Sequence, residues 1–330
     1  MARSAQRIET LCSLLFALCP LLFALCPMQT SIDPRLLSVA IVWGVNFAFV
    51  KYALADFLPL SFTIVRFSLA ALFLVLVMLI RRESLALERR DLGAVIKLGI
   101  IGITLYNLLF MEGLNNTTAS NSALFISSSP LFAVLILSLS KRERIHAHIV
   151  ASLALATLGV FLIIQHKPGG LSFSRRGLAG DLLTICAAVF WALYTVKAGP
   201  LLEKYSAIKV TAYSMAAGTV LLLPIGSYEL LHQPWSTVSI RSWAALAFSA
   251  FISGGVAFTL WYQGVQRIGV TRTIVYHYIV PFVAVLFAAL FLGEGITFPQ
   301  ITGGISILAG VYLVQRKKPE EVKGDRQNDR

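Results

Sequence analysis

Trp43 and Asn46 stand three residues apart, and Trp191 and Tyr194 repeat that spacing, so on helices each pair shares one face. A large ring beside a polar group, presented by two helices, suits the binding of small amphipathic solutes. Tyr106-Asn107 and Trp261-Tyr262 add similar surface. Trp and Tyr near helix ends also serve as interface anchors, and that reading keeps Trp261 out of the candidate set. His277 completes it. Thr273 precedes His277 by four residues and Pro281 follows by four, which gives that helix a polar stripe flanked by Tyr276 and Tyr278. The candidate solute pathway is therefore Trp43, Asn46, Tyr106, Asn107, Trp191, Tyr194, Tyr262 and His277. These side chains bind and orient; they do not assemble a catalytic group. Asp56, Glu112 and Asp181 lie near predicted helix ends without clustering, no C-x-x-C pair or metal spacing exists, and His146 with His148 makes a poor metal site. No catalytic residue, metal or cofactor is expected, and the chain does not read as an enzyme.

Three further groups bear on the pathway. Pro130 and Pro281 each fall inside a predicted apolar helix, freeing a carbonyl, and are expected hinges. Arg66 lies about six residues into the second predicted helix, where burial costs several kcal/mol unless it snorkels or pairs, and it is assigned a structural charge. Glu143 and Glu294 follow loop turns and are expected to cap helices. No Asp or Glu falls in the middle of a predicted helix, so the sequence offers no obvious proton relay.

The elements that must hold these residues are membrane-spanning. Apolar residues make up 57% of 330 and charged residues 13%, with a mean hydropathy of +0.77; a soluble domain is nearer a quarter charged. The apolar residues form runs without the alternation of barrel strands. Ten helices are predicted, at 35–51, 60–80, 92–111, 121–139, 147–165, 180–198, 207–226, 242–263, 273–292 and 299–315. With both termini cytoplasmic, inside loops and tail carry eighteen Lys and Arg against five outside, as the positive-inside rule requires. The net charge of +12 follows from those loops and needs no nucleic-acid partner. The lipid bilayer and a small-molecule substrate are the expected partners; oligomeric state is not legible. Residues 14–20 and 21–27 repeat the heptad LLFALCP. Residues 1–27 are set aside as a duplicated tract or an over-long start with Met28 as initiator.

The two halves resemble each other. At an offset of 151, Gly113 meets Gly264, Pro130 meets Pro281, Glu143 meets Glu294 and Gly159-Val160 meets Gly310-Val311. At 148, Asp33 meets Asp181, Trp43 meets Trp191 and Thr63 meets Thr211. Each half holds five predicted helices, an odd number, so the second must enter the membrane from the opposite side. Inverted repeats about a midplane site are a transporter architecture. The expected fold is thus all-α integral membrane, ten transmembrane helices as two inverted five-helix repeats at 28–170 and 171–318, with a charged cytoplasmic tail at 319–330.

The combination of Trp43-Gly44 with Lys51, Arg66, Gly113, Ser127-Ser128-Ser129-Pro130 and Glu143, with echoes at Pro281, Gly293-Glu294 and Gly310, resembles the EamA family of the drug/metabolite transporter superfamily. The likeness covers roughly 34–165 and 178–315. It implies a ten-helix exporter or exchanger of amino acids and related metabolites in the cell inner membrane. It departs in the second half, where Ser214 or Met215 stands at the position of Arg66 and Ala192 follows Trp191. A non-transporting sensor or partner subunit on the same fold is the alternative.

Overall fold

Long apolar runs bounded by capping residues fold as helices, and the computed structural model describes residues 32–117, 119–140, 146–165, 177–292 and 297–316. Helix α1 is Pro34–Ala53, with the Asp33 side chain accepting from the Arg35 N–H and Pro34 in the first turn. Helix α2 is Pro59–Ile80. Helix α3 joins Arg89–Gly99, a π-helical stretch Ile100–Leu105 and Tyr106–Asn116. Helix α4 is broken into Ala119–Ile126 and Ser129–Leu139, and α5 is Ala147–Gln165. Then come α6 (Leu178–Leu202), α7 (Ala207–His232) and α8 (Ile240–Ile268), the last π-helical over Phe248–Ala257. Helix α9 joins Val270–Ile274, a 3₁₀ turn Val275–Tyr278 and Ile279–Leu292; α10 is Phe298–Arg316. Only Gly269 separates α8 from α9, at a φ of 82° where a side chain would be strained.

Nine of the described helices, α1 to α9, are long and apolar enough to cross a bilayer. Their outward faces carry Leu72, Leu76, Leu79, Leu135, Leu139, Val220 and Ile225, a belt that water would penalise and lipid would not. Helix α10 matches α5 at 19 residues but is not among the nine. The protein is an all-helical multi-pass membrane protein.

Small residues bring the helices together. Helix α5 lies along α10, where a β-carbon on Gly159 would come within 2.5 Å of the Gly303 carbonyl oxygen. Helix α7 lies along α2 and α3, with Gly218 equally close to the Gly99 carbonyl. Helix α6 lies along α3, Gly113 against Thr184.

Several expectations require correction. Helix α3 runs beyond the expected 92–111, α6 beyond 180–198, α7 beyond 207–226 and α8 beyond 242–263. Helix α4 is not continuous: turns at Ser127 and Ser128, whose hydroxyls donate to the Ala123 and Phe125 carbonyls, separate its halves. Pro130 accordingly sits in the first turn of the second half, where its missing N–H costs nothing. Pro281 follows the 3₁₀ turn of α9 rather than interrupting a regular helix. The expectations for residues 1–27, Glu143, Glu294, the linker at 166–176 and the tail from 317 lie outside the described residues.

Candidate solute-binding site

At the centre of the helices the indole of Trp43 on α1 meets that of Trp191 on α6 edge to face, ring centroids 5.4 Å apart. Trp261 of α8 lies 5.1 Å from Trp43 and 6.1 Å from Trp191. Phe258, one turn earlier on α8, lies 5.3 Å from Trp43 and 5.6 Å from Trp191. His277 of α9 stacks on Trp191 at 5.6 Å and faces Trp43 at 6.1 Å. From α3, Tyr106 reaches Trp191 at 5.3 Å. Tyr194 extends the cluster from Trp191 to Tyr262, 5.8 and 5.4 Å away. Five helices thus converge on one aromatic cluster, in the offset and edge-on geometries that ring quadrupoles favour by about 0.5–1.5 kcal/mol per pair.

Polar contacts fix these rings. The Trp43 Nε1–H donates to the Ser253 carbonyl at 3.3 Å, within the π-helical stretch of α8, whose wider turn alters the usual backbone register. Trp261 Nε1 donates to Thr195 Oγ1 at 3.4 Å. His277 Nδ1 lies 3.1 Å from Ser129 Oγ, at the start of the second half of α4. That bond couples the two broken helices. The Tyr194 hydroxyl pairs with Ser214 at 3.1 Å. Arg66 of α2 also reaches α8, its Nε donating to the Ser249 carbonyl at 3.2 Å and its Nη2 to Ser253 Oγ at 3.4 Å. Its guanidinium lies 4.9 Å from the Phe67 ring centroid.

Six predicted pathway residues, Trp43, Tyr106, Trp191, Tyr194, Tyr262 and His277, therefore join one network of rings. Asn46 and Asn107 are buried on α1 and α3. Asn107 donates to the Ile103 carbonyl within its own helix, while Asn46 Oδ1 is buried without a partner. Trp261 and Phe258 were missed, although their i, i+3 spacing echoes that of Trp43 with Asn46.

A cleft of about 370 Å³ is lined by Val196 and Val265, which follow Trp191 and Trp261 on α6 and α8, together with Leu137, Glu203 and Gln266. It lies beside the ends of α6 and α8. A second groove of about 440 Å³, lined by Ile279, Ile305, Leu308 and Tyr312, is wholly aliphatic apart from the tyrosine.

The chain matches the EamA-like transporter family over residues 32–165 and 178–316. It is 31% identical to an uncharacterized transporter of Archaeoglobus fulgidus, over 84% of this chain and 95% of that one. It is 27% identical to a protein named as a probable terminal-alkyne amino-acid exporter in Streptantibioticus cattleyicolor, over 86% and 92%. A crystal structure with 20% sequence identity superposes with a TM-score of 0.74 across 84% of this chain and 94% of the other.

Proposed function

The chain belongs to the EamA-like transporter family, and on that premise we propose that it exports amino acids or related small metabolites from the cytoplasm by alternating access. It is a membrane transporter and not an enzyme. The observation that carries the substrate reading is the meeting of Trp43, Trp191, Trp261 and His277 at one buried point. Apolar solutes with one or two polar groups match that lining, and a similar exporter named for an amino acid points the same way.

Alternating access rests on two repeats of opposite orientation, at 28–170 and 171–318, in a ten-helix bundle with both termini cytoplasmic in the inner membrane. Contacts that recur at the sequence offsets support it. Gly113 packs on Thr184 as Gly264 packs on Leu36, positions related by 151 and 148 residues. Gly159 approaches the Gly303 carbonyl as Gly310 approaches that of Ser152, again 151 apart. The bounds of α5 and α10 differ by the same 151. Two similar halves give states of similar energy, one open to each side. Pro130 and Pro281 act as hinges, each directly after a break in its helix and joined through the Ser129–His277 bond. The cleft lined by Glu203 and Gln266 is the cytoplasmic approach.

Everted membrane vesicles given a radiolabelled amino-acid mixture test the reading. Vesicles with the wild-type chain take up label above empty vesicles, and Trp191→Ala lowers that uptake at least tenfold. Uptake equal to empty vesicles across the mixture favours a sensor or partner subunit. Reporter fusions placing the loops around 143 and 294 on one side of the membrane overturn the inverted repeats.

A further inference from the structure

We propose that Arg66 is the anion-binding group of the chamber, so that the transported solute is a small carboxylate with an apolar body, of which amino acids are one class. The inference rests on the aromatic cluster being the solute chamber.

Arg66 lies seven residues into α2, about 10 Å along a helix, and its guanidinium reaches deeper, to Ser249 and Ser253 of α8. Among the described residues no carboxylate pairs with it; the ion pairs there are Arg90–Glu88, Lys204–Asp91 and Arg267–Asp33. A guanidinium has five N–H donors, and two are engaged, both by neutral oxygens. Arg66 is half-buried, and a permanent charge inside a membrane span without a counter-ion marks a functional site.

Its surroundings fit an anion that also carries an apolar body. Ser253, whose hydroxyl accepts from Arg66, gives its carbonyl to Trp43, so the charge stands at the rim of the ring cluster. The same region holds buried polar atoms without hydrogen-bond partners, Trp191 Nε1, Asn46 Oδ1 and Ser249 Oγ, with the Tyr262 hydroxyl farther along the cluster. Trp191 Nε1 is a donor and supplements Arg66 toward a carboxylate. Asn46 Oδ1 is an acceptor, one turn from Trp43 on the same face of α1, and suits an ammonium. The faces of Trp43 and Trp191 attract an ammonium as well.

The competing account makes Arg66 a staple between α2 and α8. Two hydrogen bonds to neutral oxygens do not need a cation, and the 148-residue counterpart of Arg66 is Ser214, which serves its own contact with Tyr194 as a neutral hydroxyl. The charge is left over from the packing requirement. It fits a ligand.

Binding to purified protein in lipid nanodiscs tests this through tryptophan fluorescence, since three of the five tryptophans sit in the cluster. The probes are L-phenylalanine, L-leucine and L-methionine, each with its decarboxylated amine and its deaminated acid. Under the proposal, amino acids and acids quench the wild type with at least tenfold higher affinity than the amines, the scale of one charge-assisted contact. In Arg66→Gln that preference falls to within about twofold, and Trp191→Ala, which removes ring surface and one donor, weakens all three classes and the carboxylates most. Should the glutamine variant not fold, Arg66→Lys carries the test: the preference drops severalfold if the fork grips a carboxylate and stays at the wild-type ratio if Arg66 is a staple. A wild type that binds the amines as well as the acids, or a folded glutamine variant that keeps the preference, overturns the proposal and leaves the aromatic chamber standing. Absence of quenching by every probe overturns the chamber and this inference with it.

Discussion

The π-helical stretches Ile100–Leu105 of α3 and Phe248–Ala257 of α8 occupy positions related by the 151-residue offset, yet they are used in opposite ways. In α3 the stretch is closed by packing. Gly102 lies so near Tyr194 that a β-carbon there would stand 2.0 Å from a ring carbon, and Thr104 Oγ1 donates to the Gly218 carbonyl. In α8 the carbonyls of Ser249 and Ser253 accept from Arg66 and Trp43 instead. The position of Gly102 is taken in α8 by Ser253, whose hydroxyl also accepts from Arg66. One backbone device thus serves close approach in the first half and polar binding in the second. The difference lies in one residue, glycine where a ring must enter and serine where a charge must be held.

The largest effect that breaks this comparison belongs to Gly102→Val. Its branched side chain must displace Tyr194, which is fully buried and joins Trp191 to Tyr262. Overpacking at such a site costs about 3 kcal/mol or more. The variant is expected to lose most monodisperse material on size exclusion and, where it survives, to bind aromatic solutes poorly. Ser253→Ala changes no packing and removes one neutral acceptor, for a cost of about 1 kcal/mol. Equal damage from the two would mean that both stretches serve packing alone.

The sequence carried most of the helices and six of the eight rings of the candidate site, and the misses have physical reasons. The ends of α2 and α5 follow from where hydrophobicity stops. Helix α7 passes its expected end at 226 because a helix leaves the hydrocarbon before it leaves the protein: Glu229 accepts from the backbone N–H groups of Leu60 and Ser61 and so caps α2. Helix α6 continues past Lys197 and Gly199 through Pro200, which lies three residues from its end. Trp43 and Trp191 were legible because α1 and α6 keep a regular helical face, whereas His277 lies in the 3₁₀ turn Val275–Tyr278 and stood out by its residue type in an apolar span. Trp261 was set aside because tryptophan near a helix end reads as an interface anchor, whereas α8 runs on to Ile268 and places it well inside the helix. The break in α4 was hidden in Ser127-Ser128, two hydroxyls that bond back to their own helix.

A second comparison pairs Asp33 with Asp181, 148 residues apart at the starts of α1 and α6. Asp33 meets a cation, Arg267 at 2.7 Å, but at a partly exposed rim. Asp181 is buried and, among the described residues, meets neutral donors, Thr117 and Asn121. Burial outweighs charge pairing here. Asp181→Ala is expected to cost about 2–3 kcal/mol by leaving those donors unpaired. Asp33→Ala is expected to cost about 1–2 kcal/mol, mostly the lost cap of α1, because solvent screens the pair. Thermal unfolding in detergent at low and high salt checks both: only the Asp33 loss shrinks at molar salt, where the Debye length is about 3 Å. A larger loss at Asp33 reverses the ranking and makes the ion pair a principal clasp.

The smallest effect sharpens the contrast between the two ends of the molecule. At one end the loop after α1 carries Asp56, whose Oδ2 accepts from Ser239 N–H, Ser239 Oγ and Ser242 Oγ at the start of α8. At the corresponding place after α6, Lys204 pairs with Asp91 near the start of α3. The contact is kept while the loop's charge is reversed, and the basic version falls on the side where the positive-inside rule puts basic loops. The hydrogen bonds from Ser242 and Ser239 hold the Asp56 carboxyl below the usual carboxylate range. Its stabilising contribution is therefore complete above the unfolded value, about 3.9, and is lost as pH falls through the lower folded value. Asp56→Asn should unfold at a slightly lower temperature than wild type at neutral pH and converge on it as pH falls through the lowered folded value of Asp56, where both carry a neutral side chain. Lys204→Ala should also approach wild type in acid, because protonation of Asp91 breaks the pair from its other side. Equal unfolding temperatures for Asp56→Asn and wild type at neutral pH would mean that the serines hold the asparagine as well as the carboxylate, and that the charge at this end serves orientation in the membrane rather than the clasp.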